Sequence, residues 1–356
     1  MDGSPVDTAA SPALKLRRVA AYRSLRVLAW HGDVLYGCRG YEIVRLRPEG
    51  PGASWEFVAR FRSVWWRTVT SGSALTSRLV RDGFHALAVL DDGSMIGATP
   101  GAIVTRPSGS DEFQVSHKML RGTRPLHITP TASGTIYWGE YFDNRVRAEV
   151  HIYASEDLGR TWQVAHTFPA GSVRHVHNIV YDRWFDCLWI LTGDEGSECK
   201  VLRASCDLRS IESVLSGNQQ ARAVAAIPTP DCLYLSTDTP FEQNHIYRLD
   251  RGGRLGRVGR LNASSIYACQ VGQALFFSTM AEPSTVNMDR EVQLVGSRNG
   301  TDWQTVACWR KDSLSMKYFQ YGNAFLPDGE NATRHLAATT VAVEQDDQAT
   351  TLWEIE

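Results

Sequence analysis

Two histidines two residues apart begin the stretch "RHVHNIVYD", so on a β-strand His175 and His177 point to one face. Neutral imidazole suits Mn, Zn or Fe, and three such rings with open positions make a catalytic metal site. His85 of "FHALAVL" and His127 of "LHITP" stand at comparable places, as does Gln320 of "YFQYGNAF". His85, His127, His177 and Gln320 are therefore candidate ligands of a divalent metal, and His175, one strand step above, is a candidate catalytic group. Histidines at strand ends also bind ligands without metal, or simply hydrogen-bond backbone in a wet channel. The residue types leave all three readings open.

Acids recur at a second place: Glu140 beside Tyr141 in "YWGEYFDN", Asp194 in "LTGDEGSE", Asp238 in "STDTPFEQNH" and Glu282 in "STMAEPST". Paired carboxyls act as acid and base in glycoside hydrolysis. Tyr141 with a histidine instead suits proton abstraction beside a uronic carboxylate, with Arg145 and Arg147 neutralising that carboxylate through bidentate contacts. Glu140, Tyr141 and Asp194 are the catalytic candidates of this set; Arg145, Arg147, Asp238 and Glu282 are the substrate-binding ones. Each acid also has an ordinary role as a turn cap at a strand end.

The elements that must position these groups are short β-rich runs separated by Gly, Pro, Asp and Asn. The runs superimpose at a spacing of about 40–50 residues, the range of propeller blades. Each unit reads as an inner strand, a strongly apolar second strand, a third and a shorter fourth. The last unit, "YFQYGNAF…TTLWEI", runs out after its third strand, and the early "ALKLRRVAAYR" is placed to supply the fourth. The pattern predicts an all-β chain folded as a seven-bladed β-propeller, with six blades as the alternative. Its ring closes by pairing the N-terminal strand with the last blade, which removes exposed sheet edges. A flexible stretch at 1–12 precedes one domain over 13–356, and 62–83, with Trp65 and Trp66, reads as an inserted loop.

Within the third unit, "SEDLGRTW" carries Ser155, Asp157, Gly159, Thr161 and Trp162 in the S-x-D-x-G-x-T-W spacing. This resembles the Asp box of the sialidase-like propellers, also called BNR repeats, and "SCDLRSI" and "SRNGTDW" resemble worn copies. In that family the box is a structural turn, so the resemblance implies the fold and no catalytic role for Asp157. The chain departs from typical sialidases: "VRLRP" replaces their early arginine motif, and no arginine triad stands out in the sequence. The histidine arrangement also resembles that of metal-dependent oligogalacturonate lyases. Together these resemblances imply a glycosidase or uronate-directed lyase acting on an oligosaccharide or other small polar substrate. A non-catalytic propeller binding a glycan or protein is the alternative.

Bulk properties narrow the class. With 37 basic and 39 acidic residues the net charge is −2, which gives nucleic-acid binding no support. The N-terminal sequence lacks an apolar signal-peptide core and no apolar run approaches membrane-spanning length, so a cytoplasmic location without membrane association is expected. Seven cysteines without a CxxC pair read as thiols, although the spacing allows one local disulfide among Cys187, Cys199 and Cys206.

Overall fold

Short apolar strands, several of them buried along their whole length, pair locally with their chain neighbours through tight turns. A computed structural model describes residues 13–50 and 52–356; the expected flexible stretch at 1–12 lies outside the described residues. The strands form five four-stranded sheets and one nine-stranded sheet. The nine-stranded sheet joins two antiparallel four-stranded runs, Arg26–Gly32 to Glu56–Phe61 and Ala86–Val89 to Glu112–Lys118, with the short strand Asp328–Asn331 added beside Arg26–Gly32. In each four-stranded unit the strands follow chain order, except in the last, where Leu16–Arg23 pairs antiparallel with Ala349–Ile355. The fold is thus all-β, with the N-terminal strand completing the sheet that holds the C-terminal one.

The core lies between sheets. All but one of the large apolar clusters are shared by two units that follow one another along the chain, for example Tyr137, Ile152 and Phe168 with Ile179, Leu188 and Leu202. One cluster joins Leu25, Val27 and Trp30 of the first unit to Ala337 and Leu352 of the last. The tryptophans Trp138 and Trp189 are buried in such clusters, and Trp162 and Trp303 pack at their edges, as inter-sheet packing requires.

The Asp box is a capped turn. Asp157 Oδ1 accepts from Arg160 N at 3.0 Å and Thr161 N at 2.9 Å, while Gly159 N donates to Ser155 Oγ at 2.9 Å. Gly159 has φ +78°, and a Cβ there would meet Ile96 Cγ1 at 2.6 Å, so glycine is needed for both conformation and contact. Its carbonyl accepts from Thr105 Oγ1 of the preceding unit at 2.6 Å, which bolts neighbouring sheets together. The worn copies make related turns through Ser205 with Asp207 and Ser297 Oγ with Gly300 N.

The stretch expected as an inserted loop contains two short helices, Trp65–Ser71 and Ala74–Val80. The first buries none of its residues, and Trp65 is 79% exposed, so these tryptophans do not cover core. The buried Arg78 holds the hairpin to the segment before the last unit, donating to Asp312 Oδ2 at 2.6 Å and to the Phe319 carbonyl at 2.7 Å. All seven cysteines are free thiols, Cys187, Cys199 and Cys206 included. Among the described residues, no helix is long and apolar enough to cross a membrane.

Candidate functional site

Inner strand His175–Asp182 begins next to the end of its partner Cys187–Gly193, and the register shifts between Val176 and Asn178. That irregularity turns both imidazoles toward the loop that follows the second strand. His177 Nε2 lies 3.0 Å and His175 Nε2 3.5 Å from Asp194 Oδ1. Each Nδ1 faces a backbone carbonyl at 2.9 Å, that of Phe142 for His175 and that of Ala223 for His177. A carbonyl only accepts, so both Nδ1 atoms carry hydrogen and both Nε2 atoms face the carboxylate. Gly193 makes room: a Cβ there would sit 2.4 Å from His177 Cε1.

Two arginines complete this wall. Arg174 Nη1 is 3.2 Å from Asp194 Oδ2, and Arg222 Nη2 is 3.2 Å from both Asp194 Oδ1 and Asp238 Oδ2. Burial pushes the Asp194 carboxyl up, but its contacts with His175, His177 and the Arg222 guanidinium outweigh it and hold it far below the usual carboxylate range. Asp238 behaves oppositely. Burial raises its carboxyl, with Asp194 adding to the rise and Arg222 and His177 opposing it. Glu282 is also raised, by burial and then by the Asp238 charge, and it is hydrogen-bonded to Tyr321. The Tyr141 hydroxyl is pushed up to about 12 by burial and by Asp238 and Asp194. Its ring lies 4.4 Å from that of His175 and 6.2 Å from that of His177. Neighbouring carboxyls are thus held in different protonation tendencies, the arrangement from which acid and base roles are drawn.

A second group of side chains is cationic. Arg26, Arg81 and Arg124 stand around His85, and all three depress its pKa, after the larger effect of burial. Burial, then Arg26 and Arg81, brings the Arg124 guanidinium down to about 10, still charged at neutral pH. Among the described residues, none of the three forms an ion pair with a carboxylate; Arg26 is hydrogen-bonded to Tyr267 and stacks on Phe325. Tyr141, beside His175, and Tyr267, beside Arg26, both lie close enough to Arg124 to oppose that fall.

The four expected metal ligands do not assemble. Arg26 Nη1 donates to His85 Nδ1 at 3.1 Å, so His85 Nε2 carries the hydrogen it gives to the Arg81 carbonyl at 2.8 Å, leaving no lone pair for a metal. His127 Nδ1 sits 3.0 Å from Asp328 Oδ2. Gln320 Nε2 is spent on the Arg78 carbonyl at 2.8 Å. Among the described residues, His175, His177 and Asp194 are the group whose ligand atoms lie within 4.8 Å of one another.

Of the other expected residues, Tyr141, His175, Asp194, Asp238 and Glu282 come together. Glu140 does not join them as a free acid: Arg121 grips both its oxygens and His151 N donates to it at 2.9 Å. Arg145 is an exposed partner of Asp143, and Arg147 pairs with Glu198 and Glu195. The arginines that do face the space were missed. Arg26, Arg174 and Arg222 stand at or just before the first residue of an inner strand, in "SLRVLAW", "VRHVHN" and "ARAVAAI", and Arg124 precedes one in "RPLHITP". That recurrence was the available signal.

No protein-family model matches the sequence, and no curated protein does. Solved structures do. The chain is similar to one in the crystal structure of the mitotic checkpoint complex, at 12% identity over 99% of both chains with a TM-score of 0.58. It is similar to the WD40 β-propeller domain of Doa1, at 7% identity over 96% of this chain and 97% of that one, TM-score 0.57. It also matches a chain from a study of two prolyl endopeptidases, at 11% identity over 94% of this chain and 50% of that one, TM-score 0.56. Identities this low establish the β-propeller fold alone.

Proposed function

We propose that this propeller is a closed seven-bladed ring of the sialidase-like kind. Its mouth hydrolyses glycosidic bonds in an oligosaccharide that carries a carboxylate. Closure is supported by the Leu16–Arg23 pairing with Ala349–Ile355 and by the apolar cluster joining first and last units. The observation that carries the functional reading is charge placement: Arg26, Arg81 and Arg124 gather around His85 and, among the described residues, form no ion pair with a carboxylate, while burial raises the Asp238 and Glu282 carboxyls. Guanidinium forks match a substrate carboxylate, and raised carboxyls are suited to giving and taking protons near neutral pH.

In this reading Asp238, the more enclosed acid, protonates the leaving oxygen. Glu282, hydrogen-bonded to Tyr321, is the base that activates water. Asp194 is too firmly ionised to serve as either, and it fixes Arg222, His175 and His177. Hydrolysis is favoured over β-elimination because the lyase route needs Tyr141 as a base, and its hydroxyl, pushed up to about 12, gives up its proton reluctantly.

The test is reducing-end release from uronate-containing oligosaccharides and from neutral analogues. Asp238→Asn is expected to lower kcat by about 10²–10⁴-fold, and Arg124→Ala to raise KM for the acidic substrates only. Equal turnover of acidic and neutral substrates by the wild type would end the carboxylate assignment. A second reading, a non-catalytic binding platform, is favoured by the exposed apolar side chains of Trp65, Val69 and Leu79 on the helical insertion; it predicts binding with no product.

A further inference from the structure

The sequence suggested a metal held by histidines from several units, and the structure takes that ring apart. What it builds is different: two histidines and one carboxylate at the edge of a single sheet. We propose that His175, His177 and Asp194 bind one first-row transition-metal dication of the zinc or iron(II) class.

The argument rests on nitrogen lone pairs. Both Nδ1 atoms are committed to backbone carbonyls at 2.9 Å, the outer contact that fixes the tautomer and ring direction of metal-bound histidines. In the neutral ring that leaves each Nε2 as the basic atom, and both are aimed at Asp194 Oδ1. His175 is 5% exposed, and its Nε2 has no hydrogen-bond partner although the carboxylate oxygen is 3.5 Å away. With the ring neutral, the His175 Nε2 lone pair points at a carboxylate oxygen, a contact that is costly in a buried place and that a shared cation would make favourable.

The spacing suits such a cation. Two ligands at about 2.1 Å from one ion, separated by roughly 90–110°, stand about 3.0–3.4 Å apart. The observed nitrogen–oxygen separations are 3.0 and 3.5 Å. The donor set also selects the ion. Calcium and magnesium need a shell of oxygens, and only Asp194 supplies one here, whereas two imidazoles and a carboxylate favour zinc or iron(II). Arg174 and Arg222 draw charge from Asp194 and make it a weaker donor to hard cations, which sharpens that preference.

The competing account is an ion-pair cluster in which His177 is protonated and donates to Asp194. It explains the 3.0 Å contact and leaves His175 Nε2 unexplained. The experiment uses the full chain, stripped with chelator and titrated calorimetrically with zinc chloride and then calcium chloride. A parallel cobalt(II) titration is read by its visible absorption. We expect one equivalent of zinc, no calcium binding, and a tetrahedral or five-coordinate cobalt spectrum. His175→Gln should weaken zinc binding by more than about 100-fold, beyond the range for loss of an outer-shell partner, while His127→Ala leaves it unchanged. Absence of stoichiometric zinc binding by the wild type overturns the proposal, as does equal loss in both variants. Because the probe is the metal alone, either result is independent of whether the protein cleaves sugars.

Discussion

Gly193→Ala tests whether the geometry around His177 is as tight as it looks. The new Cβ would lie 2.4 Å from His177 Cε1 and 3.0 Å from Nε2. Carbon atoms prefer about 3.5 Å, so the ring must swing by about 1 Å. A shift of that size breaks the 2.9 Å bond to the Ala223 carbonyl or the 3.0 Å contact with Asp194. Overpacking costs about 1–3 kcal/mol, and losing a hydrogen bond to a charged group about 1.5–3 kcal/mol. The sum is about 2.5–6 kcal/mol, undiminished by solvent because His177 is 3% exposed. With 356 residues and an unfolding entropy of about 2.1 cal/mol/K per residue, this corresponds to a fall in Tm of roughly 3–8 °C. Differential scanning calorimetry measures it, with Gly256→Ala as control, since a Cβ there meets only Arg248 O at 3.9 Å. The variant should also lose the zinc affinity proposed above. If Gly193→Ala melts within about 1 °C of the wild type and its His177 is undisturbed in a crystal structure, the crowding argument is wrong.

Asp238→Asn has a stability signature separate from its kinetic one. Burial holds the Asp238 carboxyl above its unfolded value, so the folded state keeps the proton longer, and stability present below about pH 4 is lost as pH rises through the folded value. The variant should therefore match or exceed the wild type in urea midpoint at pH 7, with the difference closing near pH 4. Arg78→Ala removes a buried guanidinium from half-buried Asp312 and Asp347, which keep Lys311 and the Ala342 N–H as partners, and is expected to cost about 1.5–3 kcal/mol. It should also open the Trp65–Val80 hairpin to chymotrypsin, and unchanged proteolysis would show the hairpin is held otherwise. Removing residues 1–24 exposes the Ala349–Ile355 edge and should produce aggregates on size-exclusion chromatography; a soluble monomer with wild-type melting would refute ring closure.

The blade rhythm was legible because its cause is local. Short apolar runs such as Cys232–Thr237, buried along their whole length, and turn residues such as Asp157 and Gly159, act within a few positions of themselves. The expected pairing of the early "ALKLRRVAAYR" with the last strand followed from counting strands, a local operation too. The 62–83 insertion was seen as a departure from that rhythm, but its two helices were not, since neither carries a polar cap that bonds its first turn.

The site was legible where acids and Tyr141 recur just past the second strands of successive units, and where one strand pair builds it. His175, His177 and Asp194 meet across one strand pair, so their spacing in the sequence had spatial meaning. His85 and His127 were aligned with His177 by motif, yet His85 precedes the strand Ala86–Val89 and His127 lies two residues before Thr129–Pro130. His177 is the third residue of its strand, beside a register shift. An offset of one residue reverses which face a strand side chain takes, so equivalent letters became inequivalent directions. The arginines escaped for the converse reason. Arg26, Arg81 and Arg124 act together only because separate units bring them to one space, and each alone is an ordinary charged residue at the edge of a strand. A carboxylate nearby would have made them ordinary again. The lack of an ion pair with one among the described residues is a property of the assembled units and of no segment, and it is what the proposed recognition of an acidic ligand rests on.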